Sequence, residues 1–242
     1  MSQLLTMVRK VNITGSVGSP PVTQVEDGCH EENVRRVLDA WSESEFTVLI
    51  TGAGLSTAAG VPDYRGSNGI FSQIRQDHFP TTIDLEEVKP TSAHRILREL
   101  EKLGKIQGLI TQSTDGLLVR AGFSCDRLME IHGNVFSEEC LQCRRVYHRE
   151  YVLDTFGHEM TGESCEGSAS GRPCRGRLVD TIVDWRRGVS EFEKSRTVNV
   201  LKRADCIIVL GASLEKGSVT DWCKLEKLNA LKFIVNKQRT SK

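Results

Sequence analysis

Neither sign of charge is in excess: 32 basic residues balance 32 acidic ones in a chain of 242 residues. A protein that grips nucleic acid through its phosphates usually carries a clear basic surplus, so no direct reading of nucleic acid is expected. Long apolar runs are missing too. No stretch approaches the ~18 residues of a membrane span, and no charged-then-apolar leader opens the chain, so no membrane partner is expected. Internal repeats and low-complexity tracts are absent. No Ser–His–Asp or Cys–His nucleophile array is spelled out. What the chain does have is a 38% hydrophobic content, enough for one full-sized domain with a small insertion, and 8 cysteines. Without a secretory leader these cysteines read as residents of a reducing compartment, where clustered thiols favour metal over disulfides.

Residues 1–28 contain Gly15, Gly18, Pro20 and Pro21 and show no apolar period, which reads as a mobile arm. Before Glu26 their only charges are Arg9 and Lys10, a pattern that also suits a transit peptide. Val34, Val37, Leu38 and Trp41 then recur at helical spacing, ahead of an apolar strand at 46–50. Ala93, Ile96, Leu97, Leu100 and Leu103 mark a second amphipathic helix, opened by Pro90-Thr91-Ser92 and closed by Gly104. Segments 106–111, 206–211 and 232–236 read as strands, the last two buried on both faces. Strands alternating with helices predict an α/β fold with a parallel sheet.

Three constellations carry chemistry. In "TGAGLSTAAGVPDYRG" (51–66), Gly52 and Gly54 follow a strand and precede an expected short helix. Such a turn lets backbone approach a pyrophosphate that faces helix N–H groups, although a lone G-x-G is also a common tight turn. Thr57 stands where a third glycine would be. Asp63 and Arg65 come too early to serve as the ribose acid of a dehydrogenase, expected ~20 residues on, so hydride transfer is disfavoured. Cys140 and Cys143 form a C-x2-C knuckle, with Cys165 and Cys174 following in a glycine-rich segment. Four thiolates suit a closed, structural zinc site; the bland alternative is unrelated surface thiols. Cys29, Cys125, Cys206 and Cys223 are isolated, and Cys206 reads as a small core residue. Finally, His132 in "EIHGNV" (130–135) ends an apolar run beside Gly133, a place for a general base or for a structural histidine.

In order along the chain, "TGAGLSTAAGVPDYRG", "TQSTDGLLVRAG" (111–122), "IHGN" (131–134), the four cysteines, "GASL" (211–214) and "IVN" (234–236) resemble the sirtuin family over residues 31–238. "PDYRGSNGIF", the stretched second cysteine pair and "DTIVDW" (180–185) are similar to the subgroup of vertebrate sirtuins six and seven. The resemblance implies a Rossmann-like parallel-sheet domain (29–135 and 180–242) with an inserted zinc-ribbon domain (136–179). It implies an NAD-dependent protein-lysine deacylase that releases nicotinamide and O-acyl-ADP-ribose. NAD would be a co-substrate and one zinc structural. Acyl-lysine protein, histone among the candidates, would be the substrate. The location implied is nuclear and chromatin-associated, with cytoplasm or mitochondrion as alternatives.

By resemblance, Gly52, Ala53, Gly54 and Thr57 hold the pyrophosphate side, and Asp63, Tyr64 and Arg65 lie in a loop closing over NAD. Phe71 lies near the nicotinamide ribose. Gln112 bonds that ribose and Asp115 the nicotinamide amide. Gly211 and Ser213 face phosphate, and Asn236 and Gln238 face adenosine. His132 is the base, and Ile182 and Trp185 line the acyl-lysine channel. Two departures stand out. "QSTDGLL" places Ser113 at the family's catalytic asparagine and Leu118 at a histidine. After Asn236 the resemblance leads one to expect a further strand and helix, where this sequence has only "KQRTSK", leaving the sheet with an exposed edge. Two alternatives follow: a catalytically impaired zinc- and NAD-binding scaffold, or a protein mono-ADP-ribosyltransferase.

Overall fold

The computed structural model describes residues 12–16, 23–24, 30–63, 66, 69–77, 83–169, 172–183, 188–212, 214, 223–225 and 228–236. The elements run β1 (Asn12–Ser16), β2 (Thr23–Gln24), α1 (His30–Glu43), β3 (Thr47–Thr51), α2 (Ile70–Arg75), α3 (Ser92–Lys102), β4 (Gly108–Thr111), α4 (Leu117–Arg120) and β5 (Leu128–Glu130). They continue with β6 (Ser137–Cys140), β7 (Val146–His148), β8 (Met160–Ser164), β9 (Ser168–Ala169), β10 (Arg172–Pro173), β11 (Arg177–Asp180), α5 (Glu191–Arg203), β12 (Cys206–Leu210) and β13 (Leu231–Asn236).

Five strands, β13-β12-β3-β4-β5, pair in parallel. β3 is apolar at three successive positions because both of its faces are covered. Successive side chains point to opposite faces, so Val48 and Ile50 join Ile207, Val209 and Leu201 of α5 on one side. Leu49 joins Ile208, Leu109, Trp41 of α1 and Leu97 of α3 on the other. Burying each such aliphatic side chain is worth about 1.5–3 kcal/mol. This is the α/β sheet the sequence predicts. Among the described residues no helix is long and apolar enough to cross a membrane.

Two described stretches of the N-terminal segment, β1 and β2, are strands where the sequence leads one to expect a mobile arm. β1 pairs antiparallel with β13 from Asn12↔Asn236 to Ser16↔Lys232, and β2 pairs with β1. The edge of β13 that sequence analysis leaves exposed is therefore covered. The physical reason is non-local: an open row of N–H and C=O groups on β13 is a template for any strand within reach.

A second, antiparallel sheet has the order β7-β6-β11-β8. Its outer elements are polar and exposed, while Cys140, Cys165, Cys174 and Leu178 form a small buried cluster. It joins the main sheet through the segment after β5 and the segment after β11.

Candidate active site

The carboxyl ends of β3, β4, β5 and β12 converge, which is where α/β sheets bind ligands. After β3 the chain forms two successive 3-10 turns, Ala53–Leu55 and Thr57–Ala59, in place of the expected helix. No side chain caps either turn, and left-handed Gly60 (φ 88°) ends the second. The glycines here allow a close approach of protein backbone. A Cβ on Gly54 would lie 2.6 Å from the Gly211 carbonyl oxygen, and one on Gly52 2.9 Å from it. The Gly54 N–H donates to that carbonyl (3.0 Å) and the Gly52 N–H to the Leu210 carbonyl (3.3 Å). Both amide protons are thus engaged in holding the turn to the end of β12.

Behind the turn lies a buried polar network. The Asp115 carboxylate accepts from Ser56 Oγ (2.5 Å), Ser113 Oγ (2.5 Å) and the Leu117 N–H (2.9 Å). His94 stands behind Ser56, with Nε2 3.5 Å from its Oγ. His94 is the third residue of α3 and closes a capping box with Thr91: its Nδ1 accepts the Thr91 N–H, and Thr91 Oγ1 accepts the His94 N–H. With Nδ1 as acceptor, the ring proton sits on Nε2 and faces Ser56. Burial lowers the His94 pKa to about 4, against the pull of Asp115, so the ring is neutral at pH 7. Neither Ser56 nor His94 is among the site residues expected from the sequence. The Thr91-x-x-His94 spacing signals only the helix cap and says nothing of Ser56 or Asp115.

His132 follows β5. Its Nδ1 lies 2.9 Å from the Gln112 carbonyl, to which the ring N–H donates, and this places the basic lone pair on Nε2. Gly133 is left-handed (φ 83°), and a Cβ there would fall 2.0 Å from the Thr181 carbonyl oxygen. That approach lets Thr181 Oγ1 bond both the N–H and the C=O of Asn134, while the Val183 N–H donates to the His132 carbonyl. Ile182 is tied in by its N–H to the buried Asp180 carboxylate (3.0 Å). Glu130 accepts from Asn134 Nδ2 (2.8 Å). Burial pushes its carboxyl up to about 8, against that hydrogen bond and aided by Asp115.

The polar donors suit a nucleotide. Thr51 Oγ1 and Gln112 Nε2 are buried and have no hydrogen-bond partner among the described residues. Both lie at the carboxyl ends of the strands, and an unmet buried polar atom there costs about 1–3 kcal/mol until a ligand meets it. Asp63 is tied into its own loop: its Oδ1 accepts the Gly66 N–H (2.8 Å) and its carbonyl the Ile70 N–H. Phe71 lies in α2 and Asn236 ends β13. Tyr64, Arg65, Trp185, Ser213, Gln238 and the side chain of Phe71 lie outside the described residues.

The four expected cysteines meet. One sulfur from each of Cys140, Cys143, Cys165 and Cys174 lies within 4.8 Å of all the others. Cys140–Cys174 and Cys143–Cys165 are 3.6 and 3.5 Å apart. A tetrahedron with Zn–S bonds of about 2.3 Å has edges of about 3.8 Å, so the set fits one zinc ion with no open position.

A Sir2 family model matches residues 78–217. The chain is similar to NAD-dependent protein deacetylase sir-2.4 of Caenorhabditis elegans, 32% identical over 83% of this chain and 70% of the relative. It is 33% identical to NAD-dependent protein deacetylase sirtuin-7 of Homo sapiens, over 86% of this chain and 54% of that one. With NAD-dependent protein deacetylase SRT1 of Oryza sativa subsp. indica the figures are 32%, 94% and 47%. The chain thus spans about half the length of several curated relatives. Among solved structures, a Sir2 with p53 peptide and NAD+ aligns with a TM-score of 0.60 at 27% identity, covering 86% of this chain and 88% of that one. A Sir2Tm bound to a propionylated peptide gives 0.60 at 28%, with the same coverage.

Proposed function

The chain belongs to the Sir2 family, and on that premise we propose that it is an NAD-dependent protein-lysine deacylase. The observation that carries the reading is His132: its Nδ1 is anchored on the Gln112 carbonyl, which leaves Nε2 as a base beside Gln112 at the ends of β4 and β5. NAD, when bound, supplies an electrophilic ribose carbon that gives up nicotinamide. Residues of the chain do the rest. Gln112 Nε2 and Thr51 Oγ1 gain partners on the bound nucleotide. The Ala53–Thr57 turn and the Gly211 end of β12 form the phosphate side. Asp115, fixed by three donors, orients the amide end. Ile182, with Trp185, borders the acyl-lysine. His132 Nε2 takes the proton from a ribose hydroxyl, so no protein nucleophile is required. The division into cofactor and zinc domains, a nuclear location and a histone acyl-lysine substrate belong to the same proposal and rest on the subgroup resemblance.

One observation favours a second reading, an impaired binding scaffold. The Ser113 hydroxyl donates its proton to Asp115. Only its acceptor lone pairs remain for a ligand, whereas an asparagine amide offers donor and acceptor together. The test is nicotinamide release with and without an acetyl-lysine peptide. Under the deacylase reading, release depends on the peptide, and His132→Ala lowers it by roughly 10²-fold or more. Ser113→Asn raises kcat and leaves the KM for NAD nearly unchanged. No turnover in the parent or in Ser113→Asn, with NAD still binding, makes the scaffold the better account.

A further inference from the structure

Away from the nucleotide side, a cleft of about 430 Å3 opens between β5, the β6–β7 hairpin and the start of α5. Its size is that of a small-molecule site, usually ~300–1,000 Å3. Leu128, Ile131, Val146, Ile182 and Val189 give it apolar walls. Cys125 and His148 also line it, with Sγ and Nε2 3.4 Å apart. The other ring nitrogen of His148, Nδ1, lies 2.7 Å from Ser137 Oγ. A nucleophile, a base in contact with it and a third group orienting the base is the arrangement that activates thiols. In the sequence Cys125 stands isolated, 23 residues from His148.

We propose that Cys125 is a covalent modification site for an apolar α,β-unsaturated carbonyl compound bound in this cleft, with His148 as its base and Ser137 as the positioning residue. With the ring proton on Nδ1 donated to Ser137 Oγ, the Nε2 lone pair faces Sγ. The thiol proton passes to Nε2 as sulfur bonds to the β-carbon. The π pair of the carbon–carbon double bond shifts toward the carbonyl, and the α-carbon then takes the proton back from His148. Nothing else is consumed. Partial desolvation in the cleft lowers the pKa of His148 and raises that of Cys125, the latter with help from Glu130 and Asp126. The Cys125 thiol meets its base inside the cleft, so compounds the cleft retains are the ones held against it. Among the described cysteines it is the exposed one; the rest are buried or sit in the four-thiol cluster. The cleft is also lined by Ile131 and Gly133, the two neighbours of His132.

N-hexylmaleimide is the probe, and peptide mass spectrometry reads the rate at Cys125. The native parent should react at least ~10-fold faster than the same residue in the denatured chain, since base assistance is typically worth 10² or more. His148→Ala and His148→Gln should each lose most of that advantage while melting as the parent does. N-hexylmaleimide should outpace a sulfonate-bearing maleimide by more than it does on the denatured chain. Rates at or below those of the denatured chain overturn the proposal, as do both His148 variants reacting like the parent. Equal preference for the two maleimides removes the cleft from it. None of these readouts depends on NAD turnover, so the deacylase reading stands or falls separately.

Discussion

Buried His94 and half-buried Glu130 are two groups whose ionisation opposes folding at opposite ends of the pH scale. His94 is held neutral with a pKa of about 4, below its ordinary 6.5. Between those values the unfolded chain binds a proton that the folded one refuses, so acid lowers stability across that window. Glu130 is the reverse. Its carboxyl keeps its proton up to about 8, above its ordinary 4.5. Between those values the unfolded chain has already released the proton, so stability falls as pH rises toward 8. His94→Gln keeps a capping-box acceptor and removes the first titration; the loss between pH 6.5 and 4, on the order of 2 kcal/mol, should shrink in urea melts. Glu130→Gln keeps the bond from Asn134 and should gain about 1–2 kcal/mol over the parent at pH 8.5, with little difference at pH 5. Parallel curves for parent and variant across either window would show that the corresponding group is solvated. These residues were not legible beforehand. Nothing in "SAHR" reveals a partner 38 residues earlier at Ser56, because the chain meets itself there only once β3 and α3 are packed. His132 was legible because strand end, glycine and apolar run are all local signals.

At the scale of elements, the buried strands could be read directly because they are apolar on both faces, and the cysteine knuckle because its spacing is itself the geometry. The β1–β2 pairing could not. Its sequence is rich in glycine and proline, and its stability comes from the edge of β13 rather than from its own propensity. A chain beginning at residue 29 should lose on the order of 2–3 kcal/mol from broken ladder bonds. In a protein of this size that is a fall of roughly 5–10 °C in Tm. The bared β13 edge should also promote association that rises with concentration, visible by light scattering. A shortened chain that melts like the parent and stays monomeric would mean that β1 adds nothing to the sheet.

For the molecule as a whole, the zinc-type cluster and the proposed base are mechanically joined. β11 runs from the cysteine sheet into Thr181, and Thr181 grips Asn134 from both sides. Purified protein should carry about one equivalent of zinc. Stripping it with a strong chelator should open the amides of residues 137–180 to hydrogen exchange, and those of 131–134 with them. β3, β4 and β12 should stay protected, since their core is built on other helices. Unchanged exchange at 131–134 in the metal-free protein would sever the two.

The pairing of β1 with β13 carries a consequence for how the protein is made. Asn12 leaves the ribosome well over two hundred residues ahead of its partner Asn236. At ~5–20 residues per second the stretch between the two partners takes on the order of 10–50 s to synthesise, and β1 spends all of that time without its pairing edge. The sheet therefore closes only once β13 has emerged, with a strand made early pairing late.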